Sequence, residues 1–250
     1  MPTIIEIDNL QYGHILNNIN IQIKNKNIMI SGPNNCGKTT LIKILDREIS
    51  AKGTIKINEK DINDYKIEEY SNIVQSVIPG EIIFFENTLE EINITEDTKY
   101  LIEELKIKRL LSKNTSTFTI KETILSQLLL ALTNKPQILL LDSISNYFTK
   151  KEYQNIMNIL HKYQEENNLT LIQTSINLED SLTTDYLYII NNGEIALEGK
   201  PLEVLTNDNI INKIGLNLPF MVDLSVKLKD YDLLDKIILD KDRMVEELWK

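Results

Sequence analysis

The chain has 250 residues, 42% of them apolar, enough for one sizeable core and a small appendage. Lysine plus arginine number 27 against 37 aspartates and glutamates, a formal charge of −10 that argues against a broad nucleic-acid footprint, since that needs clustered cations. The single cysteine, Cys36, excludes an internal disulfide and a cysteine-rich metal site. The opening "MPTIIEIDNL" carries acids and no long apolar core, and no run approaches the ~20 apolar residues of a membrane-spanning helix, so neither a signal peptide nor a transmembrane segment is expected.

The first 60 residues alternate short β-rich runs with turns: "TIIEIDNL", "NINIQI", "NIMIS" and "GTIKIN". Alternation in "NINIQI" and "TIKIN" predicts half-buried antiparallel strands, whereas "IMI" reads as a strand buried on both faces. A helix over "KTTLIKILDREI" follows, with Gly53 marking its exit. From about 86 to 134 the pattern is helical, in "TLEEINI", "TKYLIEELKIKRLL" and "KETILSQLLLALT". "QILLLDS" is a wholly apolar strand ending in an acid. In "KKEYQNIMNILHKYQEENN", Tyr153, Ile156, Leu160 and Tyr163 share one helical face. "LTLIQTS" and "DYLYIIN" are further buried strands, and "NNGEIALEG" supplies an Asn-Gly hairpin. Two short helices, "LPFMVDLSVKLK" and "KDRMVEELWK", end the chain. Parallel β-α-β units with an antiparallel N-terminal sheet and a helical insertion predict a layered α/β fold with a C-terminal helical extension.

Residues Gly32-Pro33-Asn34-Asn35-Cys36-Gly37-Lys38-Thr39 match G-x-x-x-x-G-K-[ST], preceded by an apolar strand and followed by a helix. Glycines let backbone N–H groups turn inward on phosphate oxygens, and the positive end of the following helix adds to them. Lys38 is expected to reach the β- and γ-phosphates, the Thr39 hydroxyl to ligate Mg²⁺, and Thr40 to complete the cradle. Asp142, closing "ILLL", is the candidate second Mg²⁺ group.

These residues resemble the ATP-binding cassette (ABC) ATPases of the P-loop NTPase class over about residues 3–215. Tyr12 in "NLQYGH" stands where that family stacks an aromatic on adenine. Gln75 in "NIVQSVIPGEIIFFENTLEEI" stands where the family has a glutamine touching Mg²⁺ and sensing the membrane partner. The tail "IGLNLPFMVDLSVKLK" through "VEELWK" is similar, more narrowly, to the A component of energy-coupling factor transporters, whose C-terminal extension helps two ATPases dimerise. The resemblance implies a nucleotide-binding domain over 1–215 with a helical insertion about 86–134, and a dimerisation extension over 216–250.

The pattern breaks at three places. Ser143 stands at the position of the family's catalytic glutamate, and a serine hydroxyl cannot hold the proton of an attacking water near neutral pH; such a base is worth roughly 10²–10⁴ in rate. Ser175 stands at the position of the family's γ-phosphate histidine. The two histidines, His14 in an early loop and His161 on a helix, read as ordinary surface residues. Counting back from Pro136 places "FTIKE", Phe118 to Glu122, at the family's Leu-Ser-Gly-Gly-Gln motif. Thr119 keeps a hydroxyl, but Ile120 and Lys121 replace both glycines. The "LSQ" at Leu125 to Gln127 is rejected, because it would need a helix several residues too short.

The resemblance therefore implies an ATP- and Mg²⁺-binding subunit of an energy-coupling factor-type transporter for a vitamin or metal ion. It would sit peripherally on the cytoplasmic face of the cell membrane, with an integral membrane subunit and a paralogous ATPase as partners. A heterodimer is expected rather than a homodimer, which would carry two doubly damaged sites. The alternatives are a nucleotide-holding regulatory or structural subunit that does not turn over, and an ATPase of another ABC class.

Overall fold

The structure, a computed structural model, describes residues 4–24, 26–80, 88–89 and 95–249. The first half opens with strands β1 (Ile5–Tyr12), β2 (Leu16–Ile23) and β3 (Asn27–Ser31), then helix α1 (Lys38–Leu45). Strands β4 (Lys52–Ile57) and β5 (Lys60–Asp61), helix α2 (Ile67–Ile73) and strand β6 (Val74–Val77) follow. Helices α3 (Glu96–Glu104) and α4 (Ile120–Thr133) lead to strand β7 (Ile138–Asp142). The second half runs α5 (Lys150–Asn167), β8 (Thr170–Ser175), β9 (Tyr186–Asn191) and β10 (Glu194–Gly199). It closes with α6 (Pro201–Leu205), α7 (Asp208–Ile214), α8 (Phe220–Asp230) and α9 (Lys241–Leu248).

Among the described residues the strands form two sheets. One is antiparallel, in the order β2-β1-β4-β5; the other runs β10-β9-β3-β8-β7-β6, parallel except for the β9–β10 hairpin. This is the expected layered α/β arrangement. Strands β3, β7 and β8 are buried at every residue, because both faces of their sheet are covered. Ile28, Ile30, Leu140 and Ile172 pack with α1 and the antiparallel sheet. Their neighbours Leu139, Leu141 and Leu171 point the other way, onto residues of α4 and α5. Met29, Leu187 and Ile189 meet residues of α6, α7 and α8. The face of α5 predicted from sequence is the buried one: Tyr153, Ile156, Leu160 and Tyr163 all lie in the core.

Two expectations about α1 change. The helix stops at Leu45 rather than running to Ile49, because Arg47 takes a left-handed φ of 62° and the N–H groups of Glu48 and Ile49 both return to the Lys43 carbonyl. Gly53, read as the helix exit, lies inside β4. The helical reading of "TLEEINI" falls outside the described residues except at Thr88 and Leu89. No helix among the described residues is long and apolar enough to cross a membrane.

Gly215, left-handed at φ 84°, ends α7. Beyond it, α8 buries Val222 against the main core, while Met221, Leu224 and Leu228 pack on a separate small cluster of Leu234, Ile238 and Met244. Ser225 ties the two segments, donating to the Ile238 carbonyl at 3.1 Å and accepting from its N–H at 3.0 Å.

Candidate nucleotide site

Parallel pairing of β3, β8 and β7 brings their carboxyl ends to one edge of the sheet, where ligands of open α/β sheets bind. Ser31 pairs with Ser175 and Asp142 with Thr174. The loop 32–37 leaves β3 at that edge and enters α1. Gly32 has φ +153°, and a Cβ there would lie 2.2 Å from the Ile190 carbonyl oxygen; a Cβ on Gly37, at φ +109°, would lie 2.4 Å from Leu16 Cδ2. Only glycine fits at either point, so the loop curls with its amides inward.

The start of α1 is left open. Its N-cap is Gly37, with no side-chain cap and no acid in the first turn. The first-turn N–H groups, with no side-chain cap of their own, can serve an anion. Helices α4 and α5 contrast with this. Each begins with a capping box, Thr119 with Glu122 and Thr149 with Glu152, so a carboxylate of the chain itself already occupies each helix start.

Lys38 is buried and donates from Nζ to the carbonyl oxygens of Gly32 at 2.7 Å and Pro33 at 2.8 Å, with Cys36 Sγ at 3.6 Å. Its ammonium is thus held at the mouth of the loop. Thr39 Oγ1 donates to Asp142 Oδ2 at 2.7 Å, and Thr174 Oγ1 donates to Asp142 Oδ1 at 2.7 Å. A cavity of about 380 Å³ opens here, lined by Ile15, Asn34, Asn35, Gly37, Lys38, Thr39, Thr40 and Ser143.

This set fits a Mg²⁺-bound triphosphate. The donors are hard oxygens, one hydroxyl and one carboxylate, which suits a cation that keeps waters and takes remaining ligands from phosphates. No cluster of three His, Cys, Asp or Glu side chains forms a complete protein cage among the described residues.

Ser143 lines the cavity, half-buried, in a left-handed conformation at φ 52°. Its N–H donates to Thr174 Oγ1 at 2.9 Å, and the two hydroxyls lie 3.1 Å apart. Thr174 is a residue the sequence reading passed over; its cross-strand register with Asp142 is what brings it in. Ile15 is another. The turn between β1 and β2 lays its backbone beside Gly37 and Gly193, which no local pattern announces.

Three predicted residues are not brought to this cavity. Ser175 is fully buried and turns to Asp180, donating to Oδ2 at 2.7 Å. Gln75 pairs with Leu139, three residues before Asp142 on the neighbouring strand, so it stands about 10 Å short of the carboxylate at a strand rise of ~3.3 Å per residue. Its amide donates to the Ser71 carbonyl, and it lines a different cavity with Asp46, Arg47, Ile67 and Tyr70. Tyr12 sits half-buried on the core at the end of β1, across the hairpin from Ile15, and does not line the cavity.

"FTIKE" lies at a helix start, with Thr119 as the N-cap of α4. Lys113 holds Glu122 at 2.7 Å, and Lys121 holds Glu152 at 2.8 Å. The lysine partners, then the cap bonds, lower both carboxyls to about 2. Leu125–Gln127 lie inside α4, with the Ser126 hydroxyl donating to the Glu122 carbonyl. Of the histidines, His14 is exposed as expected, but His161 is half-buried with Nε2 2.9 Å from Asn27 Nδ2, and burial lowers its pKa.

The sequence matches the ABC transporter family over residues 16–146. The energy-coupling factor transporter ATP-binding protein EcfA1 of Lactobacillus delbrueckii subsp. bulgaricus is 30% identical over 117 residues, 46% of this chain and 42% of that protein, so the match spans less than half of that relative's length. The EcfA1 of Enterococcus faecalis is 22% identical over an alignment of 275 positions, covering 100% of this chain and 98% of that protein. Among solved structures, cbiO1 of Clostridium perfringens, described as part of the ABC transporter complex cbiONQ, superposes with a TM-score of 0.69 at 22% identity, over 90% of this chain and 99% of that one. A bacterial Atm1-family ABC exporter with ATP bound gives 0.74 at 18% identity over 84% of this chain and 41% of that one, so the fold is shared well beyond sequence likeness. With the phosphate loop, Asp142 and the layered sheet in place, this chain belongs to the ABC transporter family.

Proposed function

We propose that the chain is an ATP-binding subunit of an energy-coupling factor-type ABC transporter, and the weaker half of a heterodimer with a paralogous ATPase. The observation that supports this is one cavity lined by Lys38, Thr39 and Ser143, with Thr39 bonded to Asp142; Ser143 directly follows Asp142, where the resemblance puts the base. Loop amides and the Lys38 ammonium would grip the β- and γ-phosphates, and Thr39 and Asp142 would hold Mg²⁺. A Mg²⁺ held by Thr39 and Asp142 would supply positive charge against the charge that develops on the phosphates. Ser143 can orient a water through its hydroxyl but cannot keep that water's proton, which removes roughly 10²–10⁴ of rate.

The paralogue would supply the intact site. On this chain, the filled start of α4 favours a partner whose nucleotide is poorly served from this side, since Glu122 already satisfies the Thr119 N–H at 2.9 Å. We assign residues 1–215 to the nucleotide-binding domain and 216–250 to dimerisation; exposed Val245, Leu248 and Trp249 on and after α9 support that role. The groove beside Ile67, Tyr70 and Gln75 is the proposed seat of an integral membrane subunit, which would hold the chain peripherally at the cytoplasmic face and select a vitamin or metal ion. The exposed Ile67 at its rim supports such a contact.

A second reading, a nucleotide-holding subunit that never turns over, is favoured for the isolated chain by Ser143. Equilibrium binding and phosphate release separate the two readings. The purified chain is expected to bind Mg-ATP saturably and to hydrolyse it negligibly, and Ser143→Glu in complex with its partner ATPase is expected to raise turnover. Brisk hydrolysis by the chain alone would falsify the assignment of Ser143.

A further inference from the structure

A second cavity, of about 440 Å³, runs along α5 and shares no lining residue with the phosphate loop cavity. Lys150, Tyr153, Met157 and His161 recur on one helical face and form its wall. Phe148 and the turn holding Glu179 and Asp180 close the other sides.

Charge in this groove does not cancel. Lys150 Nζ lies 3.5 Å from Glu179, so that cation is already matched. His161 accepts from Asn27 Nδ2 and burial disfavours its charged form, so it contributes none. Asp180 receives Ser175 Oγ at 2.7 Å and Asn177 Nδ2 at 3.3 Å, but no ion pair among the described residues. Burial raises its pKa, while hydrogen bonds from Ser175 and Ser145 and the charge of Lys150 act the other way.

Most of the other lining residues are polar, with Phe148, Tyr153 and Met157 set among them. Phe148 and Tyr153 offer rings and Met157 a thioether, surfaces that accept a flat body and favour a positive head. The volume falls within the ~300–1,000 Å³ range of small-molecule sites. We propose that this groove binds a small organic monocation, an ammonium head on a flat apolar body, with the Asp180 carboxylate as its counter-charge. The site stands apart from the nucleotide and from the transport reading.

Phenethylammonium chloride titrated into the full chain, followed by amide chemical shifts, tests it. Saturable binding at one site with a Kd of ~1 mM or tighter is expected, with shifts confined to α5 and the 177–183 turn. Asp180→Asn is expected to weaken it about tenfold or more. Met157→Trp, which fills the groove and keeps Asp180, is expected to abolish it, and Lys38→Ala to leave it unchanged. Phenylacetate, of similar size and opposite charge, is expected not to bind. Absence of saturation, equal binding of phenylacetate, or unaltered affinity in Met157→Trp overturns the proposal even if Asp180→Asn fails to fold.

Discussion

Thr39 and Asp142 are joined by a hydroxyl-to-carboxylate hydrogen bond of 2.7 Å across 103 positions of sequence. The bond exists because β3 and β7 both flank β8, so the first turn of α1 meets the end of β7 at one sheet edge. Removing the donor by Thr39→Ala leaves that carboxylate with Thr174 alone. Hydrogen bonds to charged groups contribute ~1.5–3 kcal/mol, and exposure of Thr39 places this one at or below the lower end. Calorimetric titration is expected to show weaker Mg-ATP binding with a reduced dependence on Mg²⁺, while denaturant unfolding shifts little.

Gly32→Ala is a steric prediction. The added Cβ would meet backbone at 2.2 Å, the Ile190 carbonyl of the neighbouring strand, which cannot rotate away. Overpacking costs ~1–3 kcal/mol and more where nothing yields. Urea unfolding is expected to place this variant at the high end of that range or beyond, with nucleotide binding lost in the folded fraction.

The two capping boxes form a linked pair, since Lys121 beside the first reaches Glu152 of the second. Thr119→Ala and Thr149→Ala should each cost about 1 kcal/mol, and the double variant should depart from additivity because the helix starts share an ion pair. Both carboxyls are lowered from 4.5 to about 2. Their contribution is therefore fully present above pH 4.5 and is lost as pH falls toward 2. Unfolding midpoints measured across that window are expected to fall more steeply for the parent than for Glu122→Gln.

His161 and Asp180 titrate with opposite consequences. Burial lowers the imidazole below 6.5, so the unfolded chain binds more protons there and stability drops as pH falls below 6.5. Burial raises the Asp180 carboxyl above 3.8, so the folded chain holds that proton longer and acidification through this range favours the fold. A His161→Gln variant should flatten the loss below pH 6.5 in thermal unfolding. Asp180→Asn removes the titrating carboxyl and should abolish the gain on acidification in the same measurement.

Motifs whose parts are close in sequence were legible from residues alone. The loop 32–39 declares itself because glycine, lysine and threonine sit at fixed spacing between a strand and a helix. The buried runs of β3 and β7 declare themselves because strands covered on both faces carry no alternation. The buried face of α5 follows from its own period of hydrophobic residues.

Whatever depends on which strand lies beside which was decided only by folding. Gln75 is near "ILLL" in space, yet a parallel register places it opposite Leu139 rather than Asp142. Ser175 ends a strand at the right edge, yet its hydroxyl turns to Asp180 and not to the phosphate cavity. Thr174, silent in the sequence, becomes the bridge between Asp142 and Ser143 because cross-strand pairing aligns it with the carboxylate. Backbone spacing and helical period are local properties that composition and order encode directly. Register and side-chain direction between distant segments arise from packing many contacts at once, and that packing chose which of the predicted groups share a cavity.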